Sequence, residues 1–281
     1  MKLIDILEQG TTLKKGKNQD RSSFLDKINH LSLNFKNLES MSGIEACKNL
    51  VILDLSENSI SSISSLAICR NLKKLFLQNN FITEISGLDH LPLEILNLSC
   101  NRISFVCGLG SLFNLEILIL DSQNISTSMT FDPKSLENLK LTQLSLIGCN
   151  LQDIKELSLL KDLQGLNISN NSIISMNQLE YLVYNLPKLY KLQVLNNPIT
   201  SNIRLFETLV AASDSLECVN DKNISANTRI FIRQKKKTRI FQKPTLLKDG
   251  RRSPKPIPHL PPYATQYRDL LISQLASAAQ D

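Results

Sequence analysis

The chain has 281 residues, 42% of them hydrophobic, and a formal charge of +6, a composition that can bury a long core. Its least charged stretch, residues 103–115, is too short to span a bilayer, and Asp5 and Glu8 interrupt any apolar signal-peptide core at the amino terminus, so the cytosol or nucleus is the expected compartment. Charge is unevenly spread: residues 1–228 carry 20 basic and 23 acidic residues, a net −3, whereas 12 basic residues against three aspartates give +9 from Arg229 onward.

Residues 1–27 lack any repeat. Leu3, Ile4, Ile6 and Leu7 share one helical face, suited to covering the open edge of a first repeat, and Lys14, Lys15, Gly16 and Lys17 read as a solvated loop. From residue 28 a unit recurs. Leu50, Leu53, Leu55, Asn58, Ile60 and Ile63 return as Leu72, Leu75, Leu77, Asn80, Ile82 and Ile85, then as Leu93, Leu96, Leu98, Asn101, Ile103 and Val106. Aligned on the middle leucine, eight units fall at Leu31, Leu53, Leu75, Leu96, Leu118, Leu144, Leu166 and Leu192, in steps of 22, 22, 21, 22, 26, 22 and 26 residues. Such self-similarity defines a leucine-rich repeat solenoid over residues 28–197. The expected fold is α/β: a curved parallel sheet on the concave face, with short helices, 3-10 turns and loops on the convex face.

In Leu53-Asp54-Leu55 the period of two sends the leucines inward and Asp54 outward from a short strand. Ile60 and Ile63 return the chain along the convex side, and each coil hides its apolar edge against its neighbours. Asn58, Asn80, Asn101, Asn171 and Asn197 mark the bend after the strand, where an amide can satisfy buried backbone groups. Gln123 and Cys149 stand at that position in units five and six, and Lys36 in the first, so weaker loop hydrogen bonding is expected in units five and six.

Unit five carries four extra residues between Ile125 and Leu141. Asp132 as cap, Pro133 at the first helical position and Phe131 packing on Leu136 predict an ordered helix there. Unit seven has the same excess, and Leu179, Leu182, Val183 and Leu186 are helically spaced. After Asn197-Pro198 the pattern dissolves, and residues 198–228 are expected to cap the array. Residues 229–281 form a basic, proline-rich tail expected to be mostly disordered, with Lys235, Lys236, Lys237 and Arg239 as its cationic cluster and a short helix at 266–279. That cluster suits a nuclear import signal, an acidic partner or non-specific nucleic-acid contact, or serves only to solvate the chain.

Nothing in the sequence assembles catalytic, metal-binding or cofactor chemistry, and no enzyme activity or cofactor is expected. The six cysteines form no CxxC pair, and Cys47 and Cys69, at equivalent repeat positions, read as small buried apolar groups rather than bridge partners. Gly108-Leu109-Gly110 lacks the lysine of a phosphate loop. Arg102-Ile103-Ser104-Phe105 matches a basic-aliphatic-x-aromatic phosphatase-docking string, but Ile103 is a core position of the fourth unit.

Function therefore falls to the outward strand residues. They are Ile52, Asp54, Lys74, Phe76, Gln78, Ile95, Asn97, Ile117, Ile119, Asp121 and Ile147. Five isoleucines and a phenylalanine on a solvent-facing sheet exceed what solubility asks for, and such a patch marks a partner site unless long neighbours or the tail cover it.

The 22-residue unit resembles the phosphatase-regulator class of leucine-rich repeats. More narrowly, residues 1–233 are similar to a family of protein phosphatase 1 regulatory subunits. The likeness lies in the opening MKLIDILEQ segment, Cys47-Lys48-Asn49-Leu50, the Phe131-Asp132-Pro133 insertion, the Leu179-Glu180-Tyr181-Leu182 helix, Asn197-Pro198 and Ser215-Leu216-Glu217. The resemblance implies a non-catalytic regulatory scaffold that binds the protein phosphatase 1 catalytic subunit through its concave face and modulates its activity or location. It also implies placement in the cytoplasm, at the cytoskeleton and centrosome, with gamma-tubulin as a further partner. The alternatives are a ciliary or microtubule-associated scaffold without phosphatase binding, and a nuclear ribonucleoprotein component whose tail contacts RNA. No membrane partner is expected, and nucleic acid ranks below protein partners.

Overall fold

A computed structural model describes residues 7–17 and 19–241, with side chains described through Lys235. Residues up to Ile232 form one unit, and Arg233 begins a second.

A 3-10 turn at Leu7–Gln9 and helix α1 (Arg21–Leu25) precede the sheet. Asp20 caps α1 by accepting the Ser22 amide at 3.1 Å. The Ser32 amide donates to the Gly10 carbonyl at 2.8 Å, so the leading segment runs alongside the first strand and occupies its free edge. Gly10 is required for that approach, because a Cβ would lie 2.5 Å from Leu33 Cδ2 and 2.7 Å from the Ser32 carbonyl. Leu7, Phe24 and Leu25 are buried. Lys14–Lys17 are exposed, as a solvated loop should be, while Leu3, Ile4 and Ile6 lie outside the described residues.

Eight parallel strands then track the eight middle leucines: β1 (His30–Ser32), β2 (Ile52–Asp54), β3 (Lys74–Phe76), β4 (Ile95–Asn97), and, after β5 (Phe105–Val106), β6 (Ile117–Ile119). Past β7 (Thr130–Phe131) come β8 (Gln143–Ser145), β9 (Gly165–Asn167) and β10 (Lys191–Gln193). The register runs Leu31, Leu53, Leu75, Leu96, Leu118, Leu144, Leu166, Leu192 without a slip. A one-residue slip would turn every leucine to water, so burial fixes the pairing. Each of these leucines is buried, and Ile60, Ile63 and Leu66 close the same core from the convex side. The chain is a leucine-rich repeat solenoid with the expected curved parallel sheet.

The residue before each ladder position is left-handed: Phe35, Glu57, Asn79, Cys100, Ser122, Gly148, Asn170 and Asn196 have φ between 53° and 64°. This row ends the strand and starts the return, at a cost of roughly 1–2 kcal/mol where the residue has an ordinary side chain.

Helix α2 (Pro133–Leu136) is one turn, with Asp132 accepting the Lys134 amide at 3.3 Å and the Ser135 hydroxyl at 2.8 Å. The insertion does more than lengthen a helix. Met129 is fully buried whereas Ile125 is only partly buried, so the extra residues loop out ahead of Met129, which fills the core instead. Thr130–Phe131 then pairs in parallel with Phe105–Val106 as a separate two-stranded sheet. Helix α3 (Met176–Asn185) fills the enlarged seventh unit, burying Leu179, Leu182 and Val183.

After helix α4 (Leu205–Ala212), β11 (Cys218–Val219) adds in parallel to β10, and β12 (Lys222–Asn223) pairs with it in the antiparallel sense to end a ten-stranded sheet. Helix α5 (Ala226–Phe241) makes residues 229–241, the first part of the tail expected to be mostly disordered, helical. Arg229 sets its start by donating to the carbonyls of Val210 (3.4 Å), Ser213 and Leu216, and Ile232 is buried. The helix expected at 266–279 and the proline-rich segment lie outside the described residues.

Candidate protein-interaction face

Strand alternation decides which side chains reach the concave face. Ile52, Asp54, Lys74, Phe76, Ile95, Asn97, Ile117 and Ile119 flank the buried leucines and are each half-buried. Gln78, Asp121 and Ile147 stand just past the strand ends and are half-buried too. The register places Ile52, Lys74, Ile95 and Ile117 in one row and Asp54, Phe76, Asn97 and Ile119 in the next.

The acidic and amide members of these rows are engaged within the protein. Asp54 Oδ1 accepts the Ser56 amide at 3.0 Å and its hydroxyl at 2.7 Å, and Asn97 Oδ1 repeats this with Ser99 at 3.0 and 2.8 Å. Asp121 Oδ1 accepts the Ser145 hydroxyl at 2.6 Å and the Ile147 amide at 2.8 Å, tying unit five to unit six. These side chains cap strand ends. Ile52, Phe76, Ile95, Ile117 and Ile119 form the apolar strip, and Lys74 lies within it without an ion pair among the described residues.

Beyond Ile119 the face changes character. Ile117 and Ile119 border a depression of about 500 Å³ whose other walls include Gln143, Lys191, Gln193 and Asp221. Its floor is Gly165, which stands in the sheet row between Gln143 and Lys191, and a Cβ there would collide with the Gln143 side-chain amide. Gln193 Nε2 donates to Asp221 Oδ1 at 2.6 Å. The residues expected from the sequence end at Ile147 and miss this half; the same two strand positions, carried through units six to eight, point to it.

Beneath the face runs the amide ladder. Asn101 Nδ2 donates to the carbonyls of Leu77, Leu98 and Ser99, and its Oδ1 accepts the Ile82 amide at 3.0 Å. Asn58, Asn80, Asn171 and Asn197 make equivalent sets. Weaker bonding in unit five is not found. Gln123 reaches the carbonyls of Leu98 and Leu120 and accepts the Ile103 amide at 2.9 Å, because its extra methylene is taken up without losing either end of the amide. In unit six Cys149 keeps only the donor half, its thiol lying 3.0 Å from the Leu120 carbonyl.

Cys47 and Cys69 are free and fully buried. Burial, aided for Cys47 by Cys69, pushes both thiols up from 9.0 to about 11. Burial pushes Cys149 to about 12 against the lowering effect of its backbone hydrogen bonds. Ile103 is fully buried with its amide held by Gln123, so the aliphatic position of the Arg102–Phe105 string is fixed in the core while Arg102 and Phe105 are exposed, and the Arg102 guanidinium sits 4.4 Å from the Phe81 ring centre. Lys235, Lys236, Lys237 and Arg239 fall within α5, Lys235 half-buried. Among the described residues no group of three or more histidine, cysteine, aspartate or glutamate side chains is placed to hold a metal ion, and no helix is long and apolar enough to cross a membrane.

A stacked register of inward leucines, an amide ladder and a half-exposed outer row define the class: a leucine-rich repeat solenoid. A family model of leucine-rich repeats (two copies) matches residues 48–90. The crystal structure of internalin C2 from Listeria monocytogenes str. 4b F2365 is similar over 77% of this chain and 91% of its own, at 24% identity and a TM-score of 0.58. An internalin F from the same organism is similar over 75% and 73%, at 22% identity and a TM-score of 0.40.

Proposed function

We propose that this chain is a non-catalytic regulatory scaffold that binds the protein phosphatase 1 catalytic subunit through its concave face. In this reading it modulates the enzyme's activity or location at the centrosome, where gamma-tubulin is a further partner. One observation carries the interaction reading: five large apolar side chains stand half-exposed on a sheet whose alternate residues are wholly buried. Apolar surface of this kind, held on a rigid sheet, is what a protein partner buries. The choice of phosphatase rests on the likeness of the repeat unit to phosphatase-regulator repeats.

The test is a pull-down of the full chain and of a chain ending at Phe241, scored for phosphatase catalytic subunit and gamma-tubulin. Cutting at residue 229 would remove Arg229 and Ile232, which hold α5 to the end of the array. Capture of the phosphatase by both forms is expected. Capture of gamma-tubulin alone would replace this reading with the microtubule-associated scaffold, and ribonuclease-sensitive capture of RNA without the phosphatase would replace it with the ribonucleoprotein component.

A further inference from the structure

The polar groups of the concave face are unequally engaged. Asp54 and Asp121 accept hydrogen bonds from strand-end groups, Asp221 from Gln193, and Glu57 from Asn79 at 2.5 Å. Lys74 and Lys191 have neither an ion pair nor a hydrogen-bonded side-chain partner among the described residues. Both stand in the same row of the sheet, with Ile95, Ile117, Gln143 and Gly165 between them. Five strand spacings separate them, roughly 24 Å. The row thus reads cation, apolar pair, amide, notch, cation; it holds no carboxylate of its own, and Asp54, Asp121, Asp221 and Glu57 nearby are engaged elsewhere.

We propose that this row is the docking track for an extended protein segment of the opposite pattern: a carboxylate at each end and large apolar side chains between. One carboxylate meets Lys74, the apolar residues cover Ile95 and Ile117, and the chain drops into the space above Gly165 so that the second carboxylate meets Lys191. At about 3.3 Å per extended residue the track takes roughly eight residues. The proposal deepens the concave-face reading and rests on it. Lysine contacts supply orientation and encounter rate, and the isoleucines supply most of the affinity.

The test selects random eight-residue peptides displayed on phage against the full-length chain, then measures the strongest binder as a synthetic peptide. The expected peptides carry Asp or Glu near both ends and apolar residues between. Their Kd should rise about tenfold in Lys74→Glu and in Lys191→Glu, and further as salt is raised. Gly165→Leu, which fills the notch at a position with no backbone strain, should weaken them as well. Peptides that lose binding to the Phe76→Ala, Ile117→Ala, Ile119→Ala triple but show no acidic bias would overturn the track and leave the concave reading standing. Peptides indifferent to the triple, or no selected peptides at all, would overturn the track, and titration of the phosphatase catalytic subunit into the triple variant decides the concave reading separately.

Discussion

Asn101 is wholly inaccessible, and its amide joins two successive coils: Leu77 belongs to one, Leu98 and Ser99 to the next, and the Ile82 amide closes the loop. Removing it orphans buried carbonyls and an amide at once, each costing about 1–3 kcal/mol. Asn101→Ala should therefore lower unfolding free energy by about 3 kcal/mol, read as a lower urea midpoint with an unchanged slope. Gln123→Ala should cost a similar amount, since its amide makes the same set of bonds one unit on. The buried thiols make a second prediction. Their folded values lie above the ordinary 9.0, so the stabilising contribution is complete below pH 9 and disappears as pH rises through about 11 for Cys47 and Cys69 and about 12 for Cys149. The denaturation midpoint should fall across that window, and a Cys47→Ala, Cys69→Ala, Cys149→Ala chain should show a shallower fall. At pH 8 a maleimide should label exposed Cys100 and leave those three silent in the native protein.

At the scale of elements, α5 begins where one guanidinium gathers three carbonyls from the end of α4 and the loop beyond it. Arg229→Ala should loosen the last turn of α4 and the first of α5, raising amide hydrogen exchange there about tenfold or more, a loss of about 1.4 kcal/mol in local opening. Exchange at the ladder amides of Ile82 and Ile103 should not change. Elements differ in how plainly they were written in the sequence. The eight strands were legible because each centres on a leucine that must be inward, and the spacing between those leucines is the strand register itself. Helix α2 was legible from Asp132-Pro133, whose cap and first-turn chemistry have few other uses. The loop that brings Met129 into the core was not, because Ile125 and Met129 are equally apolar. The Phe105–Thr130 pairing offers only two residues per strand, too few for alternation to register. The left-handed row escaped as well: Phe35, Glu57, Cys100 and Ser122 carry no signature of that conformation, which the stacked coils impose on them. On the concave face, alternation alone sets out the apolar strip, while the notch was missed because a glycine marks a space rather than a group.

Over the whole molecule, a sheet that buries one face of every strand leaves the other face free to vary. Units two to five use that freedom for four isoleucines and a phenylalanine among Asp54, Lys74 and Asn97, and units six to eight for glutamine, serine, glycine, asparagine and lysine alone. The apolar side chains of the face are not needed to hold the coils together, since the leucines beneath are buried in both halves. Substitutions on the face should therefore separate binding from folding. Isothermal titration of the phosphatase catalytic subunit into the wild-type chain and into the Phe76→Ala, Ile117→Ala, Ile119→Ala variant tests this most directly. The account predicts a loss of at least a hundredfold in affinity, about 2.7 kcal/mol, with the circular dichroism spectrum unchanged. Equal affinity in the two chains would contradict it.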